Sequence, residues 1–263
     1  MGFDLKQQFL TQNQCYQEGS PLAPKGVMVH STGVAQPDPM VFVQRWNKPD
    51  VAKCVHAFLG REQIIQTLPW TFRGWHAGTG ASGRSANDTH LSFECCEPAG
   101  HTYQGGTMVG YDVKANQAYF EDIYRSAVEL TAMLCQKFSL DPQKPGVVIC
   151  HAEGHSLGIA SGHGDVLQWW PKHGATMDQF RLDVAAAMAG EEEDMTQERF
   201  DEMMNDYLAR QAQLPPGGWS ADARKWAEES GVVAGDGGGN FRYQSFASRE
   251  EIVQMLYRLN QPD

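Results

Sequence analysis

The sequence lacks the features that mark membrane-embedded and exported proteins. It contains no run of about 18 apolar residues, the length that a transmembrane helix needs, so we expect no membrane insertion. The first eight residues have neither a basic start nor an apolar core, and therefore do not read as a signal peptide. We expect a protein that is made in the cytoplasm.

Cysteine occurs without any pattern that would form a metal cluster or a bridged framework. The six cysteines show no C-x-x-C spacing. Cys95 and Cys96 are adjacent, and on a strand they would point to opposite faces. We expect reduced, mostly buried thiols in a reducing compartment.

Positive charge is scarce. The chain has 21 basic and 32 acidic residues, a net charge of −11, and so offers no basic surface for nucleic acid. The imbalance is uneven, because residues 191–263 contain 15 acidic and 7 basic side chains, against 17 and 14 in residues 1–190. An acidic run at 191–194 follows an alanine-rich segment. This change of composition predicts one domain at 1–190 and another at 191–263.

Histidine, by contrast, is concentrated in one place. Imidazoles and a carboxylate crowd a short stretch that ends at Asp165. His151 and His155 are four residues apart, but the pattern is H-x-E-x-H and not the H-E-x-x-H of zincins. Gly154 and Gly158 also argue against a regular helix there. His155 is therefore a weaker metal-ligand candidate than Asp165.

A metal site here needs a ligand from a distant segment, and His30 is the best candidate. It follows the apolar run 27–29, as a strand would deliver an imidazole to a cleft. His30, His151 and Asp165 would give Zn²⁺ three protein ligands and leave the fourth position open for water. That is the arrangement of a catalytic zinc site, so these residues predict a zinc hydrolase.

Several motifs occur in the order in which one enzyme family carries them. They are His30-Ser31-Thr32 after an apolar strand, Gly74-Trp75-His76-Ala77-Gly78, Leu91-Ser92-Phe93-Glu94, Val148-Ile149-Cys150-His151, and His163-Gly164-Asp165 followed by Trp169-Trp170. Together they resemble the type 2 N-acetylmuramoyl-L-alanine amidases, which include phage lysozyme-like amidases and the peptidoglycan-recognition proteins. The resemblance covers about residues 20 to 188. It implies hydrolysis of the amide between N-acetylmuramic acid and the L-alanine of the peptidoglycan stem peptide.

The resemblance also implies roles for individual residues. The family's zinc ligands fall on His30, His151 and Asp165. Its catalytic carboxylate falls on Glu94, and a basic residue, Lys in several members, falls on His163. Zinc lowers the pKa of bound water to about 7 and polarises a carbonyl. Glu94 would then transfer protons, and His163 would stabilise the oxyanion.

A groove for the muramyl peptide is predicted beside these residues. We expect Trp75, His76, Ala77 and Trp169 to line it, with Trp170 close by. For the tryptophans, packing in the core is an equally good interpretation, because a large aromatic side chain is usually substantially buried.

Apolar periodicity predicts an α/β fold for the first domain, with a mixed central sheet flanked by helices, as the resemblance also implies. The predicted strands are at 26–30, 54–59, 63–68, 91–96 and 146–150, and the predicted helices at 117–137 and 176–188.

The segment 191–263 predicts a small helical module. Met195–Gln211 carries its apolar residues on one face, Ser220 begins a second helix, and Ser248 opens the capping box of a third. The passage that starts at Trp219 resembles one S-layer-homology repeat. Such repeats commonly occur in threes to bind wall polymers, and only one is visible. Wall-polymer binding, self-association and a structural role therefore stay open.

Alternative functions use the same residues differently. Some members of the family that lack zinc ligands only recognise peptidoglycan, but here all three ligands and Glu94 are present. A thiol hydrolase would use Cys150, but its neighbour His151 would project in another direction, and the sequence shows no nucleophile-base pair. A phage or prophage endolysin, which acts on the wall after release, reconciles the substrate with the absence of a signal peptide. An amidase that recycles wall fragments in the cytoplasm is the other alternative.

Overall fold

The computed structural model describes residues 4–189, 197–235 and 237–260. The chain divides into two compact units, Met1–Glu191 and Glu192–Asp263. The predicted boundary after residue 190 and the start of the predicted helix at Met195 lie outside the described residues.

The first unit alternates short strands with helices. Its strands are β1 (Leu5–Gln7), β2 (Gly26–Ser31), β3 (Ala57–Leu59), β4 (Ile64–Gln66), β5 (His90–Cys95), β6 (Thr102–Gln104), β7 (Thr107–Val109) and β8 (Val148–Cys150). Its α-helices are α1 (Gln14–Glu18), α2 (Pro39–Trp46), α3 (Gln117–Phe138), α4 (His151–Ser156) and α5 (Met177–Ala189), with 3₁₀ turns at Ala86–Asp88 and Trp170–His173.

Six of these strands form one sheet in the order β1-β4-β3-β5-β2-β8. β3 and β4 pair antiparallel, whereas the other neighbouring strands pair parallel. β6 and β7 form a separate two-stranded ribbon. The predicted mixed sheet flanked by helices is therefore confirmed.

The sheet separates two apolar layers. Val27 and Val29 of β2 belong to the layer that contains α3 and α5, whereas Phe58 of β3 belongs to the layer of α2. Cys95 lies in the first layer and Cys96 in the second, as neighbouring residues of an extended chain must. All six cysteines are free and buried, as predicted.

The helix α4 corrects the prediction made from its glycines. Residues 151–156 form a helix although Gly154 lies within it. A Cβ atom at Gly154 would lie 2.6 Å from Cε of Met28 in β2, so this glycine permits close helix–sheet packing. Gly158, with φ +73°, lies just beyond the helix end. Gly154 thus reports a close approach and not an interruption of the helix.

The second unit consists of α6 (Gln197–Ala212), α7 (Ala221–Glu229) and α8 (Arg249–Leu259), with a 3₁₀ turn at Gly218–Ser220. The capping box of α8 is confirmed: the backbone N–H of Glu251 donates to the Ser248 hydroxyl at 3.1 Å, and that of Ser248 donates to the Glu251 carboxylate at 2.8 Å. Among the described residues of this unit, Ala227 alone is buried. No described helix combines the length and the apolar character that crossing a membrane would require.

Candidate active site

The site lies where three parallel strands end. β5, β2 and β8 are neighbours, and the register places His30 opposite Glu94 and Val29 opposite Cys150. His151 therefore lies beside His30, one residue after β8 ends. The carboxyl edge of parallel strands is where α/β sheets commonly bind ligands.

Asp165 joins the two histidines from the loop before the 3₁₀ turn. Its Oδ2 lies 2.8 Å from His30 Nδ1 and 3.1 Å from His151 Nδ1, and the two Nδ1 atoms are 3.2 Å apart. Two imidazole nitrogens and a carboxylate oxygen are a donor set that zinc accepts, at about 2.0–2.2 Å from each donor. The residues therefore fit a zinc ion after a small expansion of the site.

The protonation states also suit metal ligands. Burial alone would raise the pKa of Asp165, but hydrogen bonds from His151 and His30 outweigh burial and hold this pKa below its usual value. Burial lowers the pKa of His30, partly against the effect of Asp165. A carboxylate beside a neutral imidazole is the state in which these groups bind metals.

Each histidine of the set has an outer partner for its second nitrogen. His30 Nε2 lies 3.0 Å from His76 Nδ1, and His76 Nε2 lies 3.3 Å from the carbonyl of His90. His151 Nε2 lies 3.3 Å from the Ser161 hydroxyl. Ligation through Nδ1 leaves the proton on Nε2, and these partners can accept it. Burial lowers the pKa of His76 well below its usual value, which keeps its Nδ1 an acceptor.

Glu94 lines the same cleft beside the metal-ligand candidates. Burial raises its pKa well above the usual value, the charge of Asp165 raises it further, and Lys53 opposes this rise. Among the described residues, Glu94 Oε2 has no hydrogen-bond partner although it is buried. A buried carboxyl group with a free oxygen and a raised pKa is suited to accept and return a proton.

His163 lies next to this group on the loop that carries Asp165. Its Nδ1 is 3.1 Å from the Ser161 hydroxyl, and its ring centroid is 4.7 Å from that of His151. The side chain is exposed and borders the cleft. It is placed to donate a hydrogen bond to a bound group.

The cleft has a volume of about 360 Å³. Its lining residues are His30, Ser31, Thr32, Trp46, Lys53, Val55, Trp75, His76, Glu94, His151, His163 and Asp165. Lys53 Nζ lies 4.5 Å from the centre of a Trp46 ring, so the two side chains form one wall.

Comparison with known proteins agrees with this geometry. Residues 20–172 match the family model of N-acetylmuramoyl-L-alanine amidases. The chain belongs to this family. No curated protein matches the chain.

Solved structures with a similar fold include the catalytic domain of XlyA, a mutant endolysin from Bacillus subtilis, and the Staphylococcus aureus hydrolase AmiA in complex with its ligand. The first two have a TM-score of 0.51 and 21% identity, over 69% of this chain and 99% of theirs. AmiA has a TM-score of 0.54 and 17% identity, over 73% of this chain and 87% of its own. At these identities the similarity shows a common fold.

Within this amidase-family member, the residues predicted to line the groove divide into two groups. Trp75 and His76 border the cleft. Trp169 has no exposed surface, and its indole Nε1 donates to the Tyr111 hydroxyl at 2.7 Å, so the groove prediction is wrong for this residue. Ala77 is also fully buried, and its carbonyl accepts hydrogen bonds from Ser161. Trp169 packs in the core, and Ala77 holds the partner of His151.

The sequence analysis missed three residues of the site. Trp46 and Lys53 border the cleft, and Ser161 contacts both His151 and His163. No motif surrounds them, and long-range packing brings them to the cleft. The apolar pattern that ends α2 at Trp46 was the one available signal.

Proposed function

We propose that the protein is a zinc-dependent N-acetylmuramoyl-L-alanine amidase. It would cleave the amide between N-acetylmuramic acid and L-alanine in peptidoglycan. The observation that carries this proposal is the convergence of His30, His151 and Asp165, with Glu94 opposite His30 on the adjacent strand. Family membership supplies the substrate class.

His30, His151 and Asp165 would hold the zinc ion, which supplies Lewis acidity and lowers the pKa of water. Glu94 accepts a proton from the attacking water and returns it to the alanine nitrogen as this leaves. The burial that raises its pKa helps Glu94 to keep that proton between the two transfers. His163 donates a hydrogen bond to the carbonyl oxygen as negative charge develops there.

The cleft walls suit a muramyl peptide. Trp46 and Trp75 provide aromatic surface against which a sugar ring can pack, while Thr32 and Lys53 provide polar groups for the peptide. Both Glu94 and the complete ligand set favour an enzyme over a recognition protein of the same fold.

The bond that is cut tests the proposal directly. We expect digested peptidoglycan to gain free L-alanine amino groups and no new reducing sugar ends, because an amide is hydrolysed and the glycan is left intact. Amino-terminal labelling and a reducing-end assay on the same digest measure both products. New reducing ends without new alanine amines would assign the enzyme to the glycosidases.

We further propose that the amidase acts as a phage or prophage endolysin, on walls reached after release from the cell. The structural resemblance to an endolysin of Bacillus subtilis supports this role. An endolysin must cut intact sacculi, whereas an amidase that recycles wall fragments needs only soluble muropeptides. Comparison of turnover on the two substrates distinguishes the roles.

For the second unit we propose a role in wall-polymer attachment or self-association. The family match ends at residue 172, so the resemblance of this unit to an S-layer-homology repeat stays a prediction. Large apolar side chains are exposed on it, including Trp219, Phe246 and Tyr257 at 93%, 76% and 61%. Exposed aromatic groups of this size are typical of interaction surfaces.

Removal of the second unit should separate binding from chemistry. We expect a chain truncated after residue 189 to cleave small muropeptides at a rate near that of the full chain, because every candidate catalytic residue precedes this point. It should lose affinity for intact walls or change its assembly state. Turnover, wall pelleting and light scattering measure these properties. Lost turnover in a truncated chain that is still folded would contradict the division of labour.

A further inference from the structure

The residues that follow two of the metal-ligand candidates are joined by one hydroxyl group. Ser31 follows His30 at the end of β2, and Val166 follows Asp165 in its loop. The backbone N–H of Val166 donates to the Ser31 hydroxyl at 3.3 Å. This bond ties the loop of the third ligand to the strand of the first, across 135 residues of sequence.

The Ser31 side chain is itself held by a buried carboxylate. It hydrogen-bonds to Glu97, which has no exposed surface. Glu97 also accepts from the backbone N–H of Gly33 at 3.1 Å, from the Tyr103 hydroxyl at 3.0 Å and from His101 Nε2 at 2.9 Å. A carboxyl group without exposed surface is costly unless donors surround it, so these bonds define one position for Glu97.

The loop at Val166 needs such support. Val166 is fully buried and has φ +34°, in the left-handed region that β-branched residues rarely adopt. Strained backbone of this kind persists where surrounding contacts fix it. The hydrogen bond to Ser31 is a contact that does so at the strained residue itself.

We propose that Ser31 and Glu97 are positioning residues that hold the Asp165 loop in the conformation that completes the metal site. They act through the backbone of Val166, and neither is a metal-ligand candidate. This inference rests on the proposed zinc function. It gives a purpose to a buried carboxylate that the catalytic steps do not use.

The affinity of the full-length chain for zinc tests this role. Ser31→Ala and Glu97→Gln should each weaken zinc binding by about 10–100-fold, the usual loss when an outer partner of a metal ligand is removed. Ser31→Thr keeps the hydroxyl and should bind zinc almost as the wild type does. Competition with a chelator measures the dissociation constant, and circular dichroism of each metal-free variant confirms that it is folded.

Thr131→Val is the matched control for loss of a buried hydroxyl. Thr131 lies in α3 and is fully buried, and its hydroxyl has no partner among the described residues. Its replacement should leave zinc affinity unchanged. If Glu97→Gln fails to fold, Ser31→Ala and Ser31→Thr alone decide the question.

The double variant adds a second criterion. Because Ser31 and Glu97 act through one chain of contacts, Ser31→Ala with Glu97→Gln should weaken zinc binding no more than the stronger single variant. Unchanged affinity in a folded Ser31→Ala chain, or fully additive losses, would overturn the inference and leave the zinc proposal intact. A wild type that binds no zinc would overturn both.

Discussion

Alanine at His30 or at His151 is expected to abolish zinc binding and peptidoglycan hydrolysis together. Each substitution removes one of three donor atoms that lie 2.8–3.2 Å from one another, and two donors do not make a stable tetrahedral site. The wild type should carry about one zinc per chain. Metal analysis of the purified variants, beside an activity assay, measures both losses.

His155→Ala is the matched control, because His155 lies four residues after His151 in the same short helix. Its ring is exposed, and its Nδ1 lies 3.3 Å from the carbonyl of Ala160. This variant should retain zinc and activity. A metal-free wild type with full activity would refute the zinc proposal, and zinc loss in His155→Ala would place the metal elsewhere.

The part of the site that the sequence could predict depends on strand ends. His30 and His151 each follow a short apolar run, and parallel strands bring such positions to one edge of the sheet. Glu94 lies on the strand between β3 and β2 for the same reason. The structure brings these residues together with Asp165, whereas their roles in zinc binding and catalysis stay predictions.

The errors have a common physical origin in contacts between distant segments. Trp169 follows the ligand loop in sequence, but its large apolar ring is more stable in the core than in the cleft. The Ser31–Glu97 contact is absent from any local pattern, because it depends on how the chain folds back after β5. Periodicity also missed β1, β6 and β7, since three residues are too few to show an alternation.

The helices were easier to predict because they are long. α3 covers Gln117–Phe138, close to the predicted 117–137, and α5 covers Met177–Ala189, close to 176–188. Their apolar faces repeat over several turns, so the signal is independent of tertiary contacts. The short helix α4 gave no such signal, and its Gly154 was misread because Met28 contacts it from another segment.

Glu94→Gln is expected to retain zinc and substrate binding while turnover falls by about 10²–10⁴-fold. The amide has nearly the same shape as the carboxyl group but accepts no proton from water, so the loss should appear in kcat and not in KM. Glu62→Gln, on the exposed surface, is the control for the change of charge and should be unaffected. Metal content and steady-state kinetics on a soluble muropeptide test this.

His163→Ala should also retain zinc, with a smaller loss of about 10²–10³-fold if His163 supplies one oxyanion-stabilising donor. His163→Lys should restore part of the activity, because a lysine ammonium can donate to the same oxygen. If His163→Ala abolished zinc binding while Asp165→Ala left it intact, the third ligand and the oxyanion donor would have to exchange roles. The geometry argues against that exchange, since Asp165 Oδ2 contacts both histidines of the set, whereas His163 Nδ1 contacts Ser161.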